Sequence, residues 1–380
     1  MRICLFNVTT TMDAIGSGEV GGVEAYVFRL GRVLQARGHA VTLFGGEPRG
    51  ARPAWPAGLD IRLFPHLPTS RIPDLGTRFR RLMQRFHFAC KAHAAFMEQT
   101  WDAALIFKPY DFVTAWRWRR AGFRGRIIAS IHGPEFYPCD RLLAGSVDAM
   151  YAVSASTAKG VEARYGRSCP VIPHFIEADR FPWVDRTLPT DEKLVITVGR
   201  LVGWKGLSVL IRAFAEVLRR VPSASLVMIG DGPCRPELEA LVSDLGLTRA
   251  VRFAGILGEK EVIGFHRRAS LLVQPSIGYE SFSLSALEAL ASGVAVLASD
   301  QVGLAEWFRP GEGIEVYPSR DEHLLAENLC RLLTEPWAEC RRRSRIARGV
   351  VERTFETAPV AARIESLCAG GTDRLSSTSS

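Results

Sequence analysis

Two glutamates separated by seven residues carry the clearest chemistry in the chain. They lie in Gly278-Tyr279-Glu280-Ser281-Phe282-Ser283-Leu284-Ser285-Ala286-Leu287-Glu288. Glu280 falls in a loop before an apolar helical run, and Glu288 in the first turns of that run. Amides at a helix N-terminus lack intrahelical partners and, with the macrodipole, make an anion site. Here the amides near Ser283 and Leu284 take that position. A ligand with a phosphate at this helix end meets Glu280 on one side and Glu288 on the other. A nucleotide sugar, with its glycosyl, diphosphate and ribose parts, has that shape. The plainer reading is a capping box, Ser285-x-x-Glu288, in which Glu288 only caps its helix.

A second segment, Gly199-Arg200-Leu201-Val202-Gly203-Trp204-Lys205-Gly206, follows a strand and precedes a helix. A cation at a helix N-terminus opposes a macrodipole of roughly +0.5 charge. Lys205 is thus badly placed for helix stability and well placed for an anion, which Arg200 can share. Read plainly, both are solvated loop cations. A third segment, Gly16-Ser17-Gly18-Glu19-Val20-Gly21-Gly22, contains a formal G-x-G-x-x-G. Its glycines lie well beyond the first strand. The second strand ends Leu43-Phe44-Gly45-Gly46, where a ribose-binding carboxylate would be needed, so NAD is disfavoured. Gly21 and Gly22 still let the backbone approach a phosphate closely. His132, in Ser130-Ile131-His132-Gly133-Pro134-Glu135, follows another strand, where a lone histidine is commonly a satisfied polar group.

These segments need a scaffold of alternating strands and helices. Ile3–Val8, Val41–Phe44, Ala103–Phe107, Arg126–Ile131 and Ala149–Ser154 read as strands, with Gly22–Ala36 a helix between the first two. The second half restarts the pattern. Strands are expected at Lys193–Val198, Leu226–Ile229, Val251–Ala254, Leu271–Gln274 and Val294–Ala298. Helices are expected at Leu207–Val221, Pro236–Leu245, Glu261–Ala269, Ser285–Ser292, His323–Thr334 and Ala338–Thr354. Such alternation predicts parallel β-α-β units in two open α/β domains, with a ligand in the cleft between them at the carboxyl ends of the strands.

The chain has 380 residues, 47% apolar and 23% charged, which excludes disorder, collagen and coiled coil as whole-chain descriptions. Its eight cysteines form no C-x-x-C pair, which argues against a zinc ribbon or thioredoxin-type site and fits buried thiols in a reducing cytosol. No apolar window reaches the roughly 18 residues of a spanning helix, and the N-terminus reads as a strand rather than a signal peptide. A cytoplasmic protein is expected, with peripheral contact at the inner membrane face a further expectation. Residues 1–185 hold 24 Lys and Arg against 16 Asp and Glu, and residues 186–380 hold 24 of each. All of the net +8 is therefore in the first half, which points that half toward something anionic. Arg78, Arg80, Arg81, Arg85 and Lys91 interleave with Phe79, Leu82, Met83, Phe86, Cys90 and Met97. That basic amphipathic stretch, 78–97, reads as a membrane-surface element or as a domain helix with its arginines in water. Nucleic acid is not expected, because no reading motif accompanies the basic residues.

Taken together, the segments resemble a retaining glycosyltransferase of the large family 4 group with the GT-B fold, over roughly residues 1–368. The resemblance rests on Gly21-Gly22-Val23-Glu24, Arg37-Gly38-His39-Ala40-Val41, Gly199-Arg200-Leu201 with Lys205-Gly206, Gly230-Asp231-Gly232-Pro233, Phe253-Ala254-Gly255 and the Glu280/Glu288 pair. It implies two Rossmann-like α/β domains with parallel sheets facing an interdomain cleft. The expected boundaries are 1–178 for the acceptor-side domain, 179–192 for a linker and 193–352 for the nucleotide-sugar domain. A helix over 353–369 is expected to pack back on the first domain, and 370–380 to be a disordered tail.

The resemblance also implies roles. Arg200 and Lys205 neutralise the donor diphosphate, with Ser283 and Leu284 at the helix mouth. Glu288 holds the ribose, Glu280 meets the transferred sugar, and the Gly22 backbone approaches the phosphates. His132 matches the family's histidine near the reacting sugar. The implied reaction moves a sugar from a nucleotide sugar to a sugar, glycan or lipid-linked acceptor with retained configuration and no cofactor. No D-x-D occurs, so no required metal is expected. The rivals are a sugar-nucleotide epimerase of the same fold, a phosphorylase, and a non-catalytic nucleotide-sugar-binding protein. The helix mouth departs from the family in reading Glu-Ser-Phe-Ser where Glu-Gly-Phe-Gly is common. Ala295 stands for a common proline, Val302 for a common glycine, and His174-Phe175 for a common Asn-Gly.

Overall fold

A computed structural model describes residues 1–8, 22–47, 58–65, 67–183 and 193–371. Gly16–Gly21 of the glycine-rich segment, 184–192 of the expected linker and 372–380 of the expected tail lie outside the described residues. The chain divides into two compact units, one of Met1–His174 with the segment from Thr357 onward, the other Phe175–Glu356.

In the first unit the order is β1 (Arg2–Val8), α1 (Gly22–Ala36), β2 (Ala40–Gly46), β3 (Asp60–Phe64), α2 (Thr77–Met97), β4 (Ala103–Ile106), α3 (Phe112–Arg120), β5 (Arg126–Ile131), α4 (Asp140–Leu143), β6 (Ala149–Ala152) and α5 (Ala155–Tyr165). The sheet runs β3-β2-β1-β4-β5-β6, with every pair parallel. Its central strands carry apolar side chains on both faces, as Cys4-Leu5-Phe6 and Ala103–Ile106 show, all fully buried. Parallel strands covered by helices on both sides need that composition.

The second unit repeats the plan with β7 (Lys193–Val198), α6 (Leu207–Arg220), β8 (Ala224–Ile229), α7 (Arg235–Asp244), β9 (Val251–Gly255), α8 (Glu259–Arg268), β10 (Leu271–Gln274), α9 (Leu284–Ala291), β11 (Ala295–Ser299), β12 (Ile314–Tyr317), α10 (Glu322–Thr334) and α11 (Trp337–Thr354). The sheet order β12-β11-β10-β7-β8-β9 is the same winding as in the first unit. In both units the strand order reverses beside the first strand, the place where doubly wound sheets bind ligands. The apolar stripe of α6 (Leu207, Leu210, Ile211, Phe214, Val217) is buried against this sheet.

Strands β3 and β12 were not expected from sequence. Both are edge strands, short and mixed in polarity (Asp-Ile-Arg-Leu-Phe and Ile-Glu-Val-Tyr), and lack the apolar run that marks the inner strands.

Phe175, Ile176 and Phe181 are buried in the second unit. There Ile176 N donates to Phe355 O at 2.9 Å, and Arg348 donates to the carbonyls of Phe181 and Ala291 at 2.9 and 2.5 Å. After α11 the chain returns to the first unit as α12 (Thr357–Cys368). Glu365 of α12 accepts from Arg37 at 2.6 and 2.8 Å and lies 3.0 Å from His39 Nε2, while Arg126 donates to Leu367 O at 3.0 Å. His39 also lies 3.2 Å from the Met1 amine, so its role is structural.

Candidate active site

In the second unit the β7–α6 loop and the β10–α9 loop are joined by backbone and charge. The carbonyl of Trp204 accepts from Ile277 N at 2.9 Å and Gly278 N at 3.0 Å. Gly206, at φ 66°, caps α6, and a Cβ there would lie 2.0 Å from the Pro275 carbonyl. Only glycine allows both the left-handed conformation and that approach. Gly230 has the same double need, at φ 126° with a Cβ 2.0 Å from Gly199 O. The Lys205-Gly206 and Gly230-containing motifs thus hold the carboxyl ends of β7, β8 and β10 close together.

Lys205 and Glu280 meet across this junction, Nζ to Oε1 at 2.5 Å, both side chains nearly buried. Glu280 also accepts from Ser276 Oγ at 2.6 Å and from Gln274 Nε2 at 3.2 Å to both oxygens. The Lys205 ammonium lies 4.9 Å from the centre of the Trp204 ring. The misplaced cation at the start of α6 is therefore compensated by a carboxylate and an aromatic face. The Glu280 backbone is fixed as well: its N–H donates to Gln301 O at 2.9 Å and its carbonyl accepts from Gly303 N at 2.8 Å. Val302 bridges Glu280 there with φ −98°, so no glycine is needed at that position. Arg200, Lys205, Thr197 and Gln274 line one niche beside the pair.

At the mouth of α9 the cap is Ser283, not Ser285. Its hydroxyl accepts from Ala286 N at 3.4 Å, so the capping box read from Ser285 and Glu288 is displaced by two residues. Glu288 then lies in the second turn, half-buried. Ser283 holds φ 102°, a conformation that suits the glycine common at this position.

In the first unit His132 sits just beyond β5, and both its ring nitrogens have protein partners. Nε2 lies 2.8 Å from Ser130 Oγ and Nδ1 lies 2.9 Å from His174 Nε2. Tyr26 of α1 stacks on His174 with ring centres 4.2 Å apart, and its hydroxyl lies 3.2 Å from that of Tyr151. Burial, then the charge of Lys108, lower the His132 pKa to about 3, although Glu135 opposes the shift. Burial also holds His174 well below the usual histidine range, with His132 and Arg29 adding to it. Both imidazoles are neutral at physiological pH.

Close by, Glu135 accepts from Lys108 at 2.6 Å and Arg81 at 2.8 Å. Burial raises its pKa, but the charges of Lys108, Arg81 and Arg85 and the Lys108 hydrogen bond outweigh that and hold it below the usual range. Arg85 of α2 forms a fully buried ion pair with Asp111, and Arg80 pairs with Asp74. Phe88, Ala89, Ala92 and Phe96 of the same helix lie in the core.

Sequence reasoning missed Gln274, Ser276, His174 and Tyr26. Gln274 had a signal, a polar residue ending the apolar run Leu271-Leu272-Val273. Gly22 opens α1 with open space where a Cβ would stand, and the rest of its glycine-rich segment lies outside the described residues.

Two parallel doubly wound sheets, one of them presenting Arg200, Lys205 and Glu280 beside a helix N-terminus, define the GT-B class of glycosyltransferase. The family profile described as "Glycosyl transferases group 1" matches residues 183–350, and "Glycosyltransferase Family 4" matches residues 20–180. The chain belongs to this glycosyltransferase family, whose activity is glycosyl transfer from a nucleotide sugar. One relative is a GDP-mannose-dependent alpha-(1-6)-phosphatidylinositol monomannoside mannosyltransferase from Mycobacterium tuberculosis. It is 27% identical, with 89% of this chain and 90% of the relative covered. Among solved structures, sucrose-phosphate synthase from Thermosynechococcus elongatus shares the fold with a TM-score of 0.78 at 22% identity, over 97% of this chain and 99% of that one. HepE from Anabaena in complex with UDP-glucose shares it at 0.76 and 18% identity, over 97% and 100%. Among the described residues no helix is long and apolar enough to cross a membrane.

Proposed function

We propose that the protein moves a sugar from a nucleoside diphosphate sugar to an acceptor hydroxyl with retention of configuration and without a metal. The observation that carries this reading is the Lys205–Glu280 pair, supported by Gln274 and Ser276, at the strand ends beside the N-terminus of α9. Bond cleavage leaves positive charge on the sugar and negative charge on the departing diphosphate. Arg200, Lys205 and the amides at Ser283 and Leu284 stabilise the anion, and Glu288 takes the ribose hydroxyls. Glu280 exchanges part of its contact with Lys205 for hydroxyls of the transferred sugar. Fixed donors aimed at a developing anion are among the strongest catalytic contributions. In the first unit, Gly22 offers backbone to the phosphates, and His132 offers Nε2 of a neutral imidazole to a substrate hydroxyl in exchange for its contact with Ser130. Metal independence rests on the missing D-x-D.

The acceptor is a sugar, glycan or lipid-linked hydroxyl. The lipid-linked choice is supported by the mannosyltransferase relative, whose acceptor is a phosphatidylinositol mannoside. Peripheral membrane contact through 78–97 is a finer reading, carried by half-buried Phe79, Leu82, Met83 and Phe86 with exposed Lys91. No co-sedimentation with anionic vesicles at low salt would remove it.

The test is a thermal-shift panel with UDP, GDP, ADP, CDP, dTDP and NAD, followed by acceptor-dependent nucleotide release. A ligand at about 100 times its Kd adds about 2.7 kcal/mol to stability. Stabilisation by one nucleoside diphosphate, lost in Lys205→Ala, is expected; stabilisation by NAD alone overturns the reading. Donor consumption without acceptor points instead to an epimerase. Product NMR shows whether the anomeric configuration is retained, and activity lost in chelator and restored by magnesium or manganese refutes metal independence.

A further inference from the structure

A second polar cavity lies in the same unit at the opposite end of the sheet. Its volume is about 150 Å³. Lys193, Leu271 and Ala295, the first residues of β7, β10 and β11, form its floor, and Glu335, Trp337, Cys340 and Arg343 its wall. Lys205 and Glu280 instead follow the carboxyl ends of β7 and β10, so the two sites sit at opposite ends of the same strands.

Among the described residues the charges lining this cavity are only partly paired by hydrogen bonds. Arg343 is 4% exposed and donates through one Nη to Glu335; among the described residues it makes no other hydrogen bond, although its charge also acts on Glu339. A guanidinium carries five N–H donors, so one with a single hydrogen-bond acceptor keeps donors to offer where it lines the cavity. Lys193 makes no ion pair or side-chain hydrogen bond with any described residue. The second Glu335 oxygen accepts from the Cys340 thiol at 3.3 Å. Among the described residues lining the cavity, Lys193 and Arg343 stand with one carboxylate, Glu335, and the N-terminus of α11 adds the positive end of an 18-residue helix. A cavity of this size holds one small ring or one tetrahedral oxyanion.

We propose that this cavity is an oxyanion site for a phosphoryl group, with Lys193 and the unused Arg343 donors as ligands. It is separate from the donor site and does not depend on the reading given there. Glu335 positions Arg343 and selects for a ligand that keeps a proton or hydroxyl on that side.

Calorimetric titration of the full chain with inorganic phosphate and with glycerol 3-phosphate tests this. Wild type and Lys205→Ala are expected to bind with the same affinity, and Lys193→Ala to bind at least about tenfold more weakly, as loss of one charge-assisted bond implies. Lys193→Gln, matched to wild type in circular dichroism, excludes a folding artefact. Tighter binding of the ester identifies a phosphorylated metabolite as the source, and tighter binding of inorganic phosphate identifies the free ion; either supports the site. No binding in wild type, or unchanged binding in both Lys193 variants, overturns it. Loss of phosphate binding in Lys205→Ala overturns it too, because the anion then occupies the donor site. Failure of the nucleotide panel with phosphate binding intact would count against the donor reading alone.

Discussion

The two polar clusters both lie beyond carboxyl ends of strands in sheets of one winding, one after β5 and the other after β7 and β10, yet they are built from opposite materials. In the second unit Lys205 and Glu280 are charged and paired, with Gln274 and Ser276 as supports. In the first unit the centre is a pair of neutral histidines, His174 stacked on Tyr26 and His132 edge-on to it, and the nearby charges of Glu135, Lys108 and Arg81 pair with one another. A fold thus dictates where a ligand sits, and the side chains at the strand ends decide its charge. The charged cluster suits an anionic donor. The neutral one suits hydroxyls, because a neutral imidazole can donate to or accept from them, whereas a charged one only donates and favours anions.

The comparison breaks most visibly at Lys205. Lys205→Ala is expected to lower kcat/KM by about 10²–10³, or ~2.7–4 kcal/mol, by analogy with loss of an oxyanion donor. Adding Glu280→Gln removes the unpaired carboxylate, so the double variant should regain thermal midpoint without regaining rate. A full recovery of kcat/KM in the double variant would show that the pair is structural only. Gln274→Ala comes next. A hydrogen bond to a charged group contributes ~1.5–3 kcal/mol, and the effect should fall on kcat/KM more than on the melting point. Equal loss in both would make Gln274 a packing residue.

On the neutral side, acid is the probe. His132 and His174 have pKa values lowered on folding, so the unfolded chain takes up protons first as pH falls. Their contribution is complete above the unfolded value near 6.5 and declines below it, toward about 3 for His132, by up to about 1.4 kcal/mol per pH unit for each histidine. Denaturant midpoints between pH 7 and 5 should therefore fall more steeply in wild type than in His174→Gln. Parallel slopes would mean that the ring is not buried neutral. The smallest effect is expected at the mouth of α9. Ser283→Gly relieves a positive φ but gives up the hydroxyl cap, and a net gain of under about 1 kcal/mol is expected. A loss of 1 kcal/mol or more would show that the cap outweighs the strain.

Much of this was legible in the residues. The inner strands announced themselves because both faces are buried and the sequence is apolar throughout, whereas β3 and β12 lie at edges and did not. Lys205 was legible because a cation at a helix start is unfavourable by itself, and a residue that breaks a local rule usually answers to something outside the element. Its partner was not, because Lys205 and Glu280 are 75 positions apart and meet only through the approach of Gly206 to Pro275. The plainer reading placed the cap of α9 at Ser285 because Ser-x-x-Glu fits the local pattern, and only the backbone shows that the cap lies two residues earlier, at Ser283. His174 was noticed as a departure from a family pattern but not as a neighbour of His132, since no periodicity relates a residue after β5 to one 42 positions on.

The return of α12 to the first unit has a consequence for synthesis. A ribosome delivers the chain from the N-terminus, and domains normally fold in that order. Here the acceptors that complete the first unit, Glu365 for Arg37 and the Leu367 carbonyl for Arg126, are made after the whole of the second unit. The second unit, continuous from Phe175 to Glu356, has all its parts while the first still waits for its closing helix. Vectorial assembly therefore runs backwards in this chain, and truncation within the last dozen helical residues would leave the earliest-made unit incomplete.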